Sequence, residues 1–482
     1  MSIPLDRLTS VGATPPKSDF RTIALIIASA MFMEQLDATV LATALPTMAR
    51  DFGVSAPHMS IALTSYLLSL AIFIPASGKV ADRFGARLVF RIAIGVFMLG
   101  SILCAQSTSL GFLVFARLLQ GLGGAMMMPV GRLVLLRSVH KSDMVAAMSW
   151  LLVPALLGPI LGPPVGGAIV SYLNWRWIFY INVPIGLLGI VLVSIFIEDV
   201  REEKVGRFDT FGLLLSGLSL GCLLFGFETA GREMSAAGTV LLLAIGGISW
   251  LLYMRHARRT PEPILDLSLM RIQTFRLSVI AGSLTRITQG AQPFLLPLML
   301  QLGFGLSAVQ SGLVTFATAG GSMAMKAAAP GILRRFGFRT TLIGNGILST
   351  LGYAACAAFR PAWPIWSISL VLLVSGFFMS LQFTAYNTLA YDEIPRSRMS
   401  AATSFYTTFQ QLTLSFGICT AALSMHASML IHLRAHPAFG DFSAAFLVVT
   451  FISLFSVVSS ARLPFSAGDE ISGHRAGKPA AT

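Results

Sequence analysis

Four charged residues sit where charge is expensive. The stretch Thr22 to Ala49, TIALIIASAMFMEQLDATVLATALPTMA, is long enough to cross a bilayer, yet carries Glu34 and Asp37 near its middle. A carboxylate at that depth costs about 2.5–3.5 kcal/mol, so it must face protein or water. Three residues apart, the two acids share one helix face, which is expected to look into a cavity. They are either a structural set neutralised by a basic partner or a proton site, since acids at such depth mark proton relays. Arg117, in RLLQGLGGAMMMP, needs a counter-ion. A pair with Asp37 is expected, either loosened when the acid takes a proton or permanent. Arg286, in SLTRITQGAQPF, follows Glu34 by 252 residues, with Gln289 and Gln292 after it at helical spacing. It is either a substrate-facing cation or the partner of Glu34 across a cavity. These deep acids and bases form a formally neutral set. That predicts neutral or weakly anionic amphiphilic cargo over dications.

Other polar groups offer less. Gln382, Tyr386, Asn387, Gln410 and Gln411 could line a cavity or pack between helices. His432 and His436 have the spacing of two metal ligands on a helix, and His426 lies nearby, but no third ligand is in register. No metal and no cofactor are expected. Met126 to Met128 read as pliable packing, and no nucleophile–base constellation suggests an enzyme.

The elements that position these residues are set by composition. Of 482 residues, 55% are hydrophobic and 11% charged, against about 25% charged in soluble domains, so the chain is an all-α polytopic membrane protein. Fourteen transmembrane helices are expected, near 22–47, 57–77, 86–106, 109–131, 143–171, 177–197, 210–228, 236–254, 273–300, 306–328, 338–358, 363–389, 398–424 and 441–462. On that reading 27 of the 34 Lys and Arg lie on the side of the N-terminus, while Arg50, Arg176, Arg232, Arg360 and Arg434 lie opposite. Both termini are then expected in the cytoplasm. The net charge of +13 thus reports topology, and no nucleic-acid partner is expected. Cys104, Cys222, Cys356 and Cys419 all fall in apolar spans, which excludes a disulfide framework. Residues 1–20 are polar, without a signal-peptide pattern.

An internal repeat divides the chain. RFGARLVF at 83–90 returns 252 residues later as RFGFRTTL, and KSDMVAAMS at 141–149 returns 255 later as RSRMSAATS. Two parallel repeats of six helices predict two bundles with a site between them at the midplane. The expected division is a tail over 1–20, a first bundle over 21–200, a two-helix insertion over 201–260, a second bundle over 261–465 and a tail over 466–482.

Several motifs then carry a resemblance. GKVADRFGAR, Gly78 to Arg87, is a short basic turn in which Gly78 and Gly85 would allow a tight backbone. GPILGPPVGGAI, with Gly158, Pro159, Gly162, Pro163, Gly166 and Gly167, puts glycines four apart for close helix approach and adds prolines that kink. NWRWIFYINVPIG and MEQLDATVLATALP complete the pattern. Together they resemble the major facilitator superfamily, most closely the 14-helix drug:proton antiporter branch of bacterial inner-membrane multidrug exporters. The resemblance implies that Asp82 and Arg83, with Gly78, Gly85 and Arg87, form a cytoplasmic gate. It implies that the Gly158–Gly167 stretch is the antiporter helix motif. The second copy, RRFGFR, lacks the acid, so the latch is expected in the first half alone. The expected function is proton-coupled efflux of small amphiphilic molecules by alternating access, with the proton gradient as energy source. Protons, substrate and the lipid bilayer are the expected partners. Asp37, Glu34 and Arg117 would serve proton coupling, and Arg286, Gln289, Gln292, Tyr386 and Asn387 the substrate cavity. A dedicated exporter of an acidic metabolite or chelate, or a proton-coupled uptake symporter, are the alternatives.

Overall fold

The computed structural model describes residues 20–138, 144–197, 208–229, 236–395, 398–434 and 436–469. Long apolar runs with small residues dictate helix, because within lipid a backbone must satisfy its own hydrogen bonds. The first half contains α1 (Phe20–Phe52), α2 (Ser60–Phe84), α3 (Ala86–Ala105), α4 (Leu110–Ser138), α5 (Met144–Tyr172), the short α6 (Trp177–Tyr180) and α7 (Asn182–Phe196). Then come α8 (Thr210–Thr229) and α9 (Ala236–Ala257). The second half contains α10 (Gln273–Leu298), α11 (Ala308–Ala357), α12 (Ile365–Leu389), α13 (Met399–Ile431) and α14 (Phe439–Ser460). α11 is two helices joined at a break, because Gly337 there has φ 69°.

Ten helices among the described residues are long and apolar enough to cross a membrane. α5, the polar α10 and the two arms of α11 bring the passes to the expected fourteen. The face from which α1 sets out is here the near face, and the opposite one the far face.

α1 packs on α5 and α7, and α4 on α2 and α3, forming a first bundle; α10 packs on α13 and α14, and α11 on α12 and α14, forming a second. The bundles meet along α5–α11 and α2–α13, and α8 and α9 pack on each other. Glycine makes these approaches possible. A Cβ at Gly158 would lie 2.7 Å from Gln35 Cβ and one at Gly166 2.7 Å from Val40 O, both on α1, and one at Gly162 would collide with Thr39 Oγ1. Gly167 instead abuts Ala308, and Gly312 abuts Pro163, across the α5–α11 seam. The Gly158–Gly167 motif therefore serves two partners, one in each bundle.

The repeat is visible in the backbone. Gly85, between α2 and α3, has φ 92°, and Gly337, 252 residues on, has φ 69°. Two residues after each, an arginine holds the end of its own bundle's last helix. Arg87 donates to Ser194 O of α7, and Arg339 to Ala461 O just past α14. One expectation fails here. Gly78 is not at a turn but inside α2, with open space where a Cβ would stand, so the corner is Gly85 alone. The helix runs on because the signature segment presents no breaker before it.

The two faces differ. At the far face one apolar core is shared by both bundles, from Leu36, Val40 and Leu63 through Leu295–Leu300 to Ile418, Met425 and Phe446. Gln301 Nε2 donates to Thr43 O at 3.0 Å across it. Toward the near face the bundles keep largely separate cores, one over Ile23–Ile197 and one over Leu277–Ala467, joined where Ala76 of α2 meets Ile264, Ala390 and Phe405. The structure is thus shut at the far face.

Candidate functional site

Asp37 is buried, 3% exposed, and both its oxygens accept hydrogen bonds. Oδ2 accepts from Arg117 Nη1 at 2.6 Å; Oδ1 accepts from Gln120 Nε2 and Asn182 Nδ2, each at 2.9 Å. Ser101 Oγ accepts from Gln120 at 2.7 Å and from Asn182 at 2.9 Å, which fixes both amides. Arg117 also donates to Gln120 Oε1 at 2.6 Å and, through Nε, to Ala62 O at 3.0 Å, with its guanidinium 4.3 Å from the centre of the Tyr66 ring. α1, α2, α3, α4 and α7 each contribute to this cluster. Local sequence explains why they can: Gly121 of α4 sits on Ser69 and Tyr66 of α2, and Gly123 on Ala93 and Phe97 of α3, drawing Arg117 and Gln120 into the bundle. Asn182 and Ser101 are participants that the sequence reading missed. Asn182 lies within the NWRWIFYINVPIG motif, and that was the available signal.

Glu34, one turn nearer the start of α1, is 5% exposed, and no basic group stands within ion-pair distance of it among the described residues. Its Oε2 has no hydrogen-bond partner among them. The expectation that the acidic face of α1 looks into a cavity is corrected. That face turns into the first bundle, because the helix packs it against α4 and α7, and the opposite face borders the cavity.

The cavity, about 240 Å³, lies between the bundles. Thr39, Ala42 and Thr43 of α1, Pro159 and Pro163 of α5, and Gln289 and Gln292 of α10 line it. Thr315, Thr318, Ser322 and Lys326 line it from α11. Gln289 and Gln292 are therefore at the predicted place, and Gln292 Nε2 reaches Thr318 Oγ1 at 3.5 Å. Arg286, Tyr386 and Asn387 are not on this wall. Arg286 Nη2 donates to Tyr406 Oη at 2.9 Å and Asn387 Oδ1 at 3.1 Å, and the guanidinium lies 4.8 Å from the centre of the Tyr406 ring. It forms no ion pair with Glu34; a π face and two neutral oxygens replace the missing acid. Tyr386 is buried between α10, α12 and α14, its hydroxyl 2.6 Å from Ser460 Oγ.

Two charges escaped the sequence count. Lys326 is the one charged residue lining this cavity, and it forms no ion pair among the described residues. Glu228, the last residue of the expected seventh span, is 3% exposed and buried at the far end of α8. With one of each sign added, the deep charges stay formally neutral, but the one that lines this cavity is a cation.

At the near face, Lys79 of the signature segment pairs with Glu262, beyond α9, at 3.0 Å. Arg83 lies 5.7 Å from the Phe84 ring centre, beside Asp82 at the end of α2. Asp266 caps a short turn before α10 and pairs with Arg398 at 2.6 Å. Partial burial pushes its carboxyl up, but the Ser268 hydroxyl and Arg398 outweigh this and hold it below the ordinary aspartate range. The helical metal spacing of His432 and His436 is lost because α13 ends at Ile431. No group of His, Cys, Asp and Glu suited to a metal occurs among the described residues.

The fold and this arrangement have counterparts. Residues 27–418 match the family model of the Major Facilitator Superfamily. The chain is 36% identical over 444 residues to the putative multidrug resistance protein MdtD of Cronobacter sakazakii, covering 91% of this chain and 94% of that one. It is 36% identical over 447 residues to the MdtD protein of Klebsiella pneumoniae, covering 92% and 93%. A solved D-xylose-proton symporter superimposes with a TM-score of 0.66 at 16% identity, covering 93% of this chain and 98% of that one. The nucleoside transporter NupG does so with 0.62 at 15%, covering 92% and 100%. Family, relatives and fold agree with two bundles enclosing a central cavity. This chain, a multi-pass membrane transporter of small molecules, belongs to the Major Facilitator Superfamily.

Proposed function

We propose that the chain is a proton-coupled exporter of small amphiphilic molecules, working by alternating access in the inner membrane with both termini in the cytoplasm. One observation carries this reading. α1 holds the Asp37–Arg117 cluster on one face and borders the cavity with Thr39, Ala42 and Thr43 on the other. Proton exchange at Asp37, assisted by Glu34, changes the charge that fixes α1 to α4 and α7. The same helix touches the cargo, so protonation and cargo bias one rocking equilibrium without sharing a site. The Gly158–Gly167 motif, which belongs to exporters in the resembled branch, favours export over uptake. Names of the MdtD relatives point the same way.

The test is purified protein in liposomes under an imposed pH gradient. Asp37→Asn should abolish gradient-driven transport while protein levels in the membrane stay normal. Proton-driven transport surviving in that variant would sink the assignment.

Lys326 favours a second reading of the cargo. A cavity walled by Pro, Ala, Met, Thr and Gln with one cation suits an apolar body bearing an acidic group. In the same liposomes Lys326→Gln should reduce transport of anionic cargo several-fold and leave neutral cargo little changed. Equal losses for both would remove this reading and leave the general one standing.

A further inference from the structure

α8 belongs to neither repeat, yet it occupies the groove where the two bundles meet. Leu220 and Leu224 join Leu68 and Ala71 of α2 and Leu412 and Cys419 of α13 in one buried cluster. Phe227 meets Phe416 of α13 edge-on at 5.8 Å between ring centres. One residue on, Glu228 divides its carboxyl between the bundles. Oε1 accepts from Ser60 Oγ, at the first residue of α2, and Oε2 accepts from Cys419 Sγ of α13 at 2.7 Å. Nearby, Ser415 Oγ of α13 reaches Thr64 O of α2 at 3.4 Å. A helix that merely filled the groove would have no use for an acid, which is costly to bury unless it is satisfied.

We propose that Glu228 is a clasp on the far-face gate, through which the inserted helix pair takes part in the transport cycle. Shut, the far face brings Ser60 and Cys419 within reach of one carboxyl. When the bundles rock apart there, α2 and α13 separate, and α8 can follow only one of them. One of the two bonds is then given up, so the clasp weights the equilibrium toward the shut state. The inference rests on the alternating-access reading above, but not on proton coupling or on the identity of the cargo.

Its test reads conformation rather than transport. In the full chain in nanodiscs, with Cys104, Cys222 and Cys356 replaced by Ala, Cys419 is the remaining thiol. Its alkylation by a bulky water-soluble maleimide reports opening of the seam. Ser60→Ala, which does not touch Cys419 and is mild enough to fold, should speed alkylation on the order of tenfold, the effect of one buried hydrogen bond. Glu228→Ala should speed it at least as much. Ser60→Ala added to Glu228→Ala should bring little further gain, because both break the same link. An unchanged rate in Ser60→Ala, or fully additive gains, would overturn the clasp. Faster alkylation with no proton-driven transport would keep the clasp and refute the exporter reading; the reverse would do the opposite.

Discussion

Asp37 shows what a single buried acid requires and what that requirement predicts. Its carboxylate takes three donors from two helices other than its own, so removing the main one strands a charge. Arg117→Gln should cost about 3–5 kcal/mol of stability, read as a lower melting temperature in detergent. Adding Asp37→Asn should recover part of that loss, because the uncompensated charge disappears. Full additivity in the cycle would mean the pair is not coupled as its 2.6 Å contact implies. The pairing of these two residues was legible in the sequence, since a buried Arg needs an acid and few were on offer. The direction of the acidic face was not. Helical spacing puts Glu34 and Asp37 on one side of α1 but says nothing about which neighbour covers it. Arg286 misled for a related reason: an amide oxygen, a phenol oxygen and aromatic faces stand in for an acid, with Nε left unpartnered among the described residues, and the two oxygens lie 101 and 120 residues away. Glu228 was missed because it ends its span, where an acid passes for a loop residue; its partners lie 168 and 191 residues away.

At the scale of elements, small residues decide which helices touch. Gly162 faces Thr39, whose hydroxyl is already turned back onto its own helix at Gln35 O, 3.0 Å away, and Leu36 O, 3.1 Å away. There is no slack for a methyl group. Gly162→Ala should cost about 1–3 kcal/mol by overpacking and push α1 off α5, lowering transport and thermal stability together. Gly78→Ala, by contrast, should cost nothing measurable, since open space surrounds it. A stable Gly162→Ala protein with normal transport would show that α1 and α5 can separate freely. The close approach was readable from four-residue glycine spacing. That Gly167 and Pro163 would serve the opposite bundle was not, because the stretch names no partner.

For the whole molecule, hydropathy and the repeat were enough to give fourteen passes in two bundles, and the repeat recurs as paired corners at Gly85 and Gly337. The distribution of Lys and Arg predicts the orientation in the membrane. A reporter fused between α8 and α9 should face outward, and one at Arg258 inward; the reverse result would overturn the topology. The placement of α8 against both bundles lay beyond the sequence, because that helix has no repeat partner to set its register.

The single apolar core at the far face has a thermodynamic corollary. Parting the bundles there wets side chains such as Leu295, Met425 and Phe446, while parting them at the near face disturbs a much smaller joint. Wetting apolar surface raises heat capacity, and the penalty for it shrinks on cooling. The balance between the two arrangements should therefore act as a thermometer. Chilled protein should occupy the far-open arrangement more often than warm protein, with a curved van't Hoff plot. A transporter assayed at two temperatures then differs in its resting population as well as in its rate.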